Sequence, residues 1–166
     1  MADLLERTPV PATGVRATTR SKPGHFEIDL DVTPEAVPIV RTIVRSHLKL
    51  WGLPGLTDRV ELVVSELLTN VLRHTAPAAR TAARNARLTV TRLPGALSVC
   101  VRDFDPALPQ FSSSGPEAER GRGLHLAVAF ADDFGCSLIR GGKDVWANFL
   151  IHDNDTGESP QEQEAS

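Results

Sequence analysis

Tyrosine is absent from this 166-residue chain, and aromatic residues make up only 5% of it. No aromatic cluster therefore marks a binding hot spot. Two cysteines, Cys100 and Cys136, are too few for a disulfide scaffold, and no CxxC or Cys/His spacing points to zinc. Both lie in apolar, strand-like runs and are read as buried reduced thiols. The five histidines, His25, His47, His74, His125 and His152, show no metal spacing. There is no G-x-S-x-G elbow, no Walker P-loop and no dinucleotide fingerprint. No apolar run approaches the ~20 residues of a membrane-spanning helix, and the first residues lack a signal-peptide core. The expectation is a cytoplasmic protein with no membrane partner. An excess of basic charge is also missing: the formal net charge is -3 and the isoelectric point is near 5.9. Direct binding of nucleic acid is not expected from that balance.

What is present is ordinary globular composition, 41% hydrophobic and 23% charged, in a length that suits one domain with a substantial core. Residues 1–24 mix Pro, Thr, Arg and Lys without periodicity and predict a loose tail. Residues 152–166 are polar and acidic and predict a second disordered tail. Between them, His25 to Val32 alternates Phe26, Ile28, Leu30 and Val32 as a half-buried strand does. Thr33-Pro34-Glu35 opens a helix with Val37, Val40, Val44, Leu48 and Trp51 at helical spacing, stopped by Gly52. A second helix starts after Thr57 or Asp58, with Glu61 placed as in a capping box. Its apolar stripe is Val60, Val63, Val64, Leu67, Leu68 and Val71.

Two strands, Arg87–Leu93 and Ala96–Phe104, flank the hairpin signal Pro94-Gly95. Residues 105–120, rich in Pro, Ser and Gly, read as a long functional loop. A helix is expected from Gly123 to about Asp133, with Leu124, Leu126, Ala127 and Phe130 inward and Gly135 as its stop. A closing hairpin, Cys136–Ile139 with Val145–Ile151, turns at Gly141-Gly142. This order predicts an α+β two-layer sandwich: one mixed, mainly antiparallel sheet with helices on one face.

Three segments carry chemistry. In Glu66-Leu67-Leu68-Thr69-Asn70-Val71-Leu72-Arg73-His74, Glu66 and Asn70 are four residues apart and share a helix face beside the apolar stripe. A partly desolvated carboxylate suits a general base, and a carboxamide oxygen suits Mg²⁺. Alone, the pair more often means an exposed Glu and a surface Asn. Asp103 ends an apolar strand, where a carboxylate can accept from the exocyclic amine of adenine; alone it reads equally as a turn former. Gly121-Arg122-Gly123-Leu124 lets backbone approach a ligand at a helix start, with Arg122 as a charge for phosphate. The joint order of the three is what points to an ATP site.

In those motifs the chain resembles the GHKL (histidine kinase/Hsp90-like) ATPase superfamily over roughly His25 to Ile151. Within it the chain is most similar to the anti-sigma factor serine/threonine kinases. The Gly142-Lys143-Asp144-Val145-Trp146 segment is similar to the family's closing strand. The resemblance implies Glu66 as catalytic base and Asn70 as the Mg²⁺ ligand. It implies nucleotide contacts from Asn70, Arg73, Asp103, Gly121, Arg122, Gly123, Leu124 and Lys143, with residues 105–123 as an ATP lid. It further implies ATP and Mg²⁺ as cofactors, an antagonist protein bearing a phospho-acceptor Ser or Thr, a sequestered sigma factor and a homodimer. The chain departs from the family pattern where Asp105 and Ala107 stand in place of glycines and Asp144 in place of a Thr. The alternative is a non-catalytic regulator that keeps the fold and sequesters a partner.

Overall fold

The computed structural model describes residues 6–9, 15–74, 84–104, 127 and 129–157. Among these residues seven strands form one sheet: β1 (Glu6–Pro9), β2 (Ala17–Lys22), β3 (His25–Val32), β4 (Arg84–Leu93), β5 (Ala96–Asp103), β6 (Asp133–Ile139) and β7 (Gly142–Leu150). Their spatial order is β1-β2-β3-β4-β5-β7-β6. Every strand pair among the described residues is antiparallel, in keeping with the mainly antiparallel α+β sheet expected from sequence. Helices α1 (Ala36–Leu50) and α2 (Thr57–His74) pack on each other and on β3, and α2 also on β4 and β5.

The core lies where alternate strand residues meet the helix stripes. Phe26, Ile28, Leu30, Leu88, Val90, Leu97, Val99, Val101, Val145, Ala147 and Phe149 face Val40, Val44, Leu48, Val60, Val63, Val64, Leu67 and Leu68, all buried. Period two in the strands and about three and a half in the helices produce these matching faces. The Thr33 hydroxyl accepts the Ala36 N–H at 3.2 Å, the expected cap of α1. Gly52 and Gly95 take φ of 71° and 73°, the left-handed backbone their turns require.

The N-terminal tail expected over residues 1–24 is corrected, since β1 and β2 extend the sheet. The lack of apolar alternation misleads because β2 satisfies its polar side chains across the strand pair. Arg20 donates to Glu27 at 3.0 Å and to Asp29 at 2.8 Å. Asp29 is held in turn by Arg87 at 2.7 Å. Burial alone would raise the Asp29 pKa; the hydrogen bonds and charges of Arg87 and Arg20 outweigh it and hold the carboxyl below its usual range. Thr18 and Thr19 have the β-branched shape strands favour. Pro23-Gly24 closes the hairpin, with Gly24 at φ 70°.

Three further expectations change. Residues 153–155 form a 3₁₀ turn that contacts Pro54–Leu56, and Gly157 N–H donates to the Gly52 carbonyl at 3.1 Å, so the tail expected from residue 152 is corrected over residues 152–157. Asp133 and Gly135 belong to β6, not to a helix and its stop, and Phe130 is 41% exposed rather than inward, whereas Ala127 is buried as expected. Glu61 is buried and accepts from Arg45 of α1 at 2.9 Å. It ties the two helices together instead of completing a capping box.

Candidate functional site

The site is assembled at one end of the sheet. Asp103 closes β5, directly opposite Lys143 on β7. Both extend the core-facing alternation Leu97, Val99, Val101 and Val145, Ala147, Phe149 to its last position. Their side chains are each 2% exposed, with Lys143 Nζ 3.4 Å from Asp103 Oδ2. A lysine in a hairpin is ordinarily a solvated edge charge; here the pleat turns it inward, beside a carboxylate.

The second helix starts near the opposite end of β5 and is long enough to span most of that strand. At its start, Arg59 lies over the Phe149 ring, 5.4 Å from the centroid, and Phe149 pairs with Leu97 at the start of β5. The preceding turn is fixed there too, because Arg92 at the end of β4 donates to the Trp51 carbonyl. From Arg59 to Asn70 the helix rises about 16 Å at 1.5 Å per residue. From Leu97 to Asp103 the strand rises about 20 Å at 3.4 Å per residue. Packed along β5, α2 therefore carries Asn70 toward the Asp103 end of the sheet.

On α2, Asn70 is buried and Glu66 half-buried, at the margin of the Val63–Leu67 stripe, while Arg73 is exposed. A buried carboxamide oxygen and a half-exposed carboxylate one turn apart fit a site at which a hard cation and a proton-bearing hydroxyl meet. Residues 105–126 lie outside the described residues. Gly121, Arg122, Gly123, Leu124, Asp105, Ala107 and the expected ATP lid at 105–123 all fall there.

Two residues that sequence reasoning missed border the pair. A Cβ at Gly142 would come 2.0 Å from the Asp103 carbonyl oxygen, so glycine is required for β7 to close on β5. The signal was the doubled glycine, since Gly141 alone supplies the left-handed turn, at φ 83°. Cys136 is exposed, not buried as expected, and pairs with Val145 on the same sheet face as Lys143. Burial raises its pKa; Lys143 lowers it and Asp103 raises it, the net effect being upward. Cys100 is half-buried on the opposite face, and burial and the Asp144 charge push its pKa up to about 11. At pH 8, iodoacetamide is expected to label Cys136 while Cys100 stays largely protonated and slow. Peptide mass spectrometry checks this; equal labelling of both would contradict it.

Asp144 is not part of the site. It accepts from Arg102 at 2.7 and 2.9 Å on the face of the sheet opposite α1 and α2, so its carboxylate points away from the Asp103–Lys143 pair. Among the described residues no cluster of His, Cys, Asp and Glu forms a metal centre. None of their helices is long and apolar enough to cross a membrane.

A family model described as the histidine kinase-like ATPase domain matches residues 30–149. Among solved structures, the RsbU and RsbW domains of Rv1364c from Mycobacterium tuberculosis align with a TM-score of 0.59 at 20% identity. The alignment covers 79% of this chain and 34% of that one, about a third of its length. The likeness concerns the fold. No match is found among curated proteins.

Proposed function

Because the chain belongs to the histidine kinase-like ATPase domain family, we propose that it is an ATP-binding regulator that phosphorylates a serine or threonine of an antagonist protein. The observation that supports this reading is a buried Asp103 at the end of β5 and, one turn apart on the helix packed against that strand, buried Asn70 and half-buried Glu66. Asp103 accepts from the adenine amine. The amine is a donor where guanine has an acceptor oxygen, so a carboxylate there favours ATP over GTP. Asn70 would hold Mg²⁺ through its carboxamide oxygen, and the ion would supply charge neutralisation for the phosphates. Arg73, exposed on the last turn of α2, is within the same helix face as Glu66 and adds positive charge for phosphate.

Glu66 orients the acceptor hydroxyl and takes its proton as the oxygen attacks. The new P–O bond forms to the serine or threonine, the bond from the γ-phosphorus to the bridging oxygen breaks, and ADP leaves. Such chemistry is mostly positioning and electrostatics. The doubly charged phosphate then alters the antagonist's binding surface, and a sigma factor is the second partner the resemblance suggests.

Glu66→Gln tests the assignment. The variant is expected to bind ATP as the parent does and to transfer phosphate about 10²- to 10⁴-fold more slowly, read by calorimetry and by phosphate incorporation into the antagonist. Undiminished transfer would remove Glu66 from that role. A second reading, a non-catalytic regulator that keeps the nucleotide, is favoured by Asp105, whose negative charge replaces a family glycine. Detectable turnover with a matched antagonist excludes it.

A further inference from the structure

We propose that β6 is a self-pairing edge: two copies of this chain join their β6 strands antiparallel about Cys136, so that one sheet runs through both protomers. The proposal assigns a surface and a register. It stands apart from the nucleotide-site reading, and its test uses no nucleotide.

Among the described residues the outer strands of the sheet are β1 and β6, and they differ in what guards them. An unpaired edge presents a row of backbone donors and acceptors, which proteins protect by short length, proline or charge. Strand β1 has all three, being four residues long and carrying Glu6, Arg7 and Pro9. Strand β6 is seven residues long, and Phe134-Gly135-Cys136-Ser137-Leu138-Ile139 holds neither a charge nor a proline. It is also open: Cys136 and Ser137 are exposed, and Leu138 is 60% exposed. Leu138 stands opposite Lys143 on the sheet face that carries α1 and α2, a face on which Leu88 and Leu97 are fully buried.

This edge is complementary to its own reverse, and that selects a second copy as the occupant. With Cys136 on the two-fold axis, Phe134 of each protomer lies directly opposite Leu138 of its partner. Directly opposite residues share a sheet face, so both apolar pairs fall on the helix-bearing side and cover the open leucine. Gly135 meets Ser137, small against small. At the ends, the exposed Arg140 of each protomer arrives at the exposed Asp132 and Asp133 of the other. Those opposite charges set the direction, because a parallel, in-register pairing places like charges together. Seven paired residues make a small interface, so an equilibrium between one and two copies follows.

Sedimentation equilibrium on the full chain, at about 1 to 100 µM, is expected to show the mass rising with concentration toward twice 17.9 kDa. Leu138→Lys sets an ammonium against Phe134 of the partner at both pairs and is expected to weaken association about 10-fold or more. Leu138 is exposed, so the variant's urea midpoint at low concentration should match the parent's. Directly opposite Cα atoms lie about 4.5–5.5 Å apart, within the span of about 4.4–6.8 Å that a disulfide bridges. The two thiols stand above the sheet rather than between the strands, so pairing leaves them open to reagent. Diamide, which takes up two electrons and two protons as the S–S bond forms, should therefore link the parent dimer. Peptide mass spectrometry should find Cys136 joined to Cys136, an arm that depends on no variant. A parent of single mass throughout the range overturns the proposal, as does a dimer equally tight in Leu138→Lys and the parent. A dimer that Leu138→Lys disperses but that yields no Cys136–Cys136 link overturns the register and keeps the edge.

Discussion

Asp103→Leu is expected to destabilise the protein by about 3–5 kcal/mol, and Asp103→Leu combined with Lys143→Met to recover most of that loss. The cause is the burial of both side chains at 2% exposure with 3.4 Å between their charged atoms. Taking away the carboxylate leaves an ammonium in a place where water cannot reach it. Taking away both charges leaves two apolar side chains at the edge of a core already made of Val101, Val145 and Ala147. Urea unfolding checks the ordering: midpoints should fall in the single variants and rise again in the double, with unchanged slopes. A double variant as unstable as the sum of the singles would mean that the two charges do not couple. Nucleotide binding is expected to be lost wherever Asp103 is replaced, including in the restabilised double variant. That separates the carboxylate's part in recognition from its part in folding.

This split between recognition and stability also shows what could be read from the chain. Strand β3 and helix α2 were legible to within a residue or so, because Phe26, Ile28, Leu30 and Val32 alternate and Val60 to Val71 recur at helical spacing. A residue that buries apolar surface advertises its face through its neighbours. Glu66, Asn70 and Asp103 were grouped because their types and their order along the chain are chemically complementary, and the roles given to them stand as the proposal above.

What sequence reasoning missed has a common physical origin: partners far apart in the chain. The polar strand β2 makes sense only with Glu27 and Asp29 beside it, and Glu61 only with Arg45 sixteen residues earlier. Lys143 looks like an edge charge until β5 is paired with β7 and Asp103 is seen opposite it. Local pattern cannot weigh a buried ion pair, since the favourable partner is absent from the local window and the desolvation cost alone argues for exposure. Asp144 shows the converse. It stands where the family pattern has a Thr, and the pleat directs it to Arg102 on the other face.

Gly142→Ala and Gly135→Ala should part company for a reason visible in what each new methyl would strike. Neither glycine has a left-handed φ, so space decides. At Gly135 the Cβ would lie 2.0 Å from a ring atom of Trp146. That indole is half-buried on the face opposite α1 and α2, where it can swing outward. At Gly142 the Cβ would lie 2.0 Å from the Asp103 carbonyl oxygen and 3.0 Å from Cα of Phe104. Backbone cannot rotate away, so the start of β7 must leave β5. The expected cost is about 3 kcal/mol for Gly142→Ala, the upper end of ordinary overpacking, against about 1 kcal/mol for Gly135→Ala. The functional consequences diverge further. Displacing β7 by about 1 Å moves Lys143 relative to Asp103, and misplacement of that size can reduce a rate about 100-fold. Phosphate transfer measured on folded protein should therefore fall in Gly142→Ala and persist in Gly135→Ala. Equal thermal and kinetic effects in the two variants would show that the β5–β7 junction has more freedom than its close backbone contact implies.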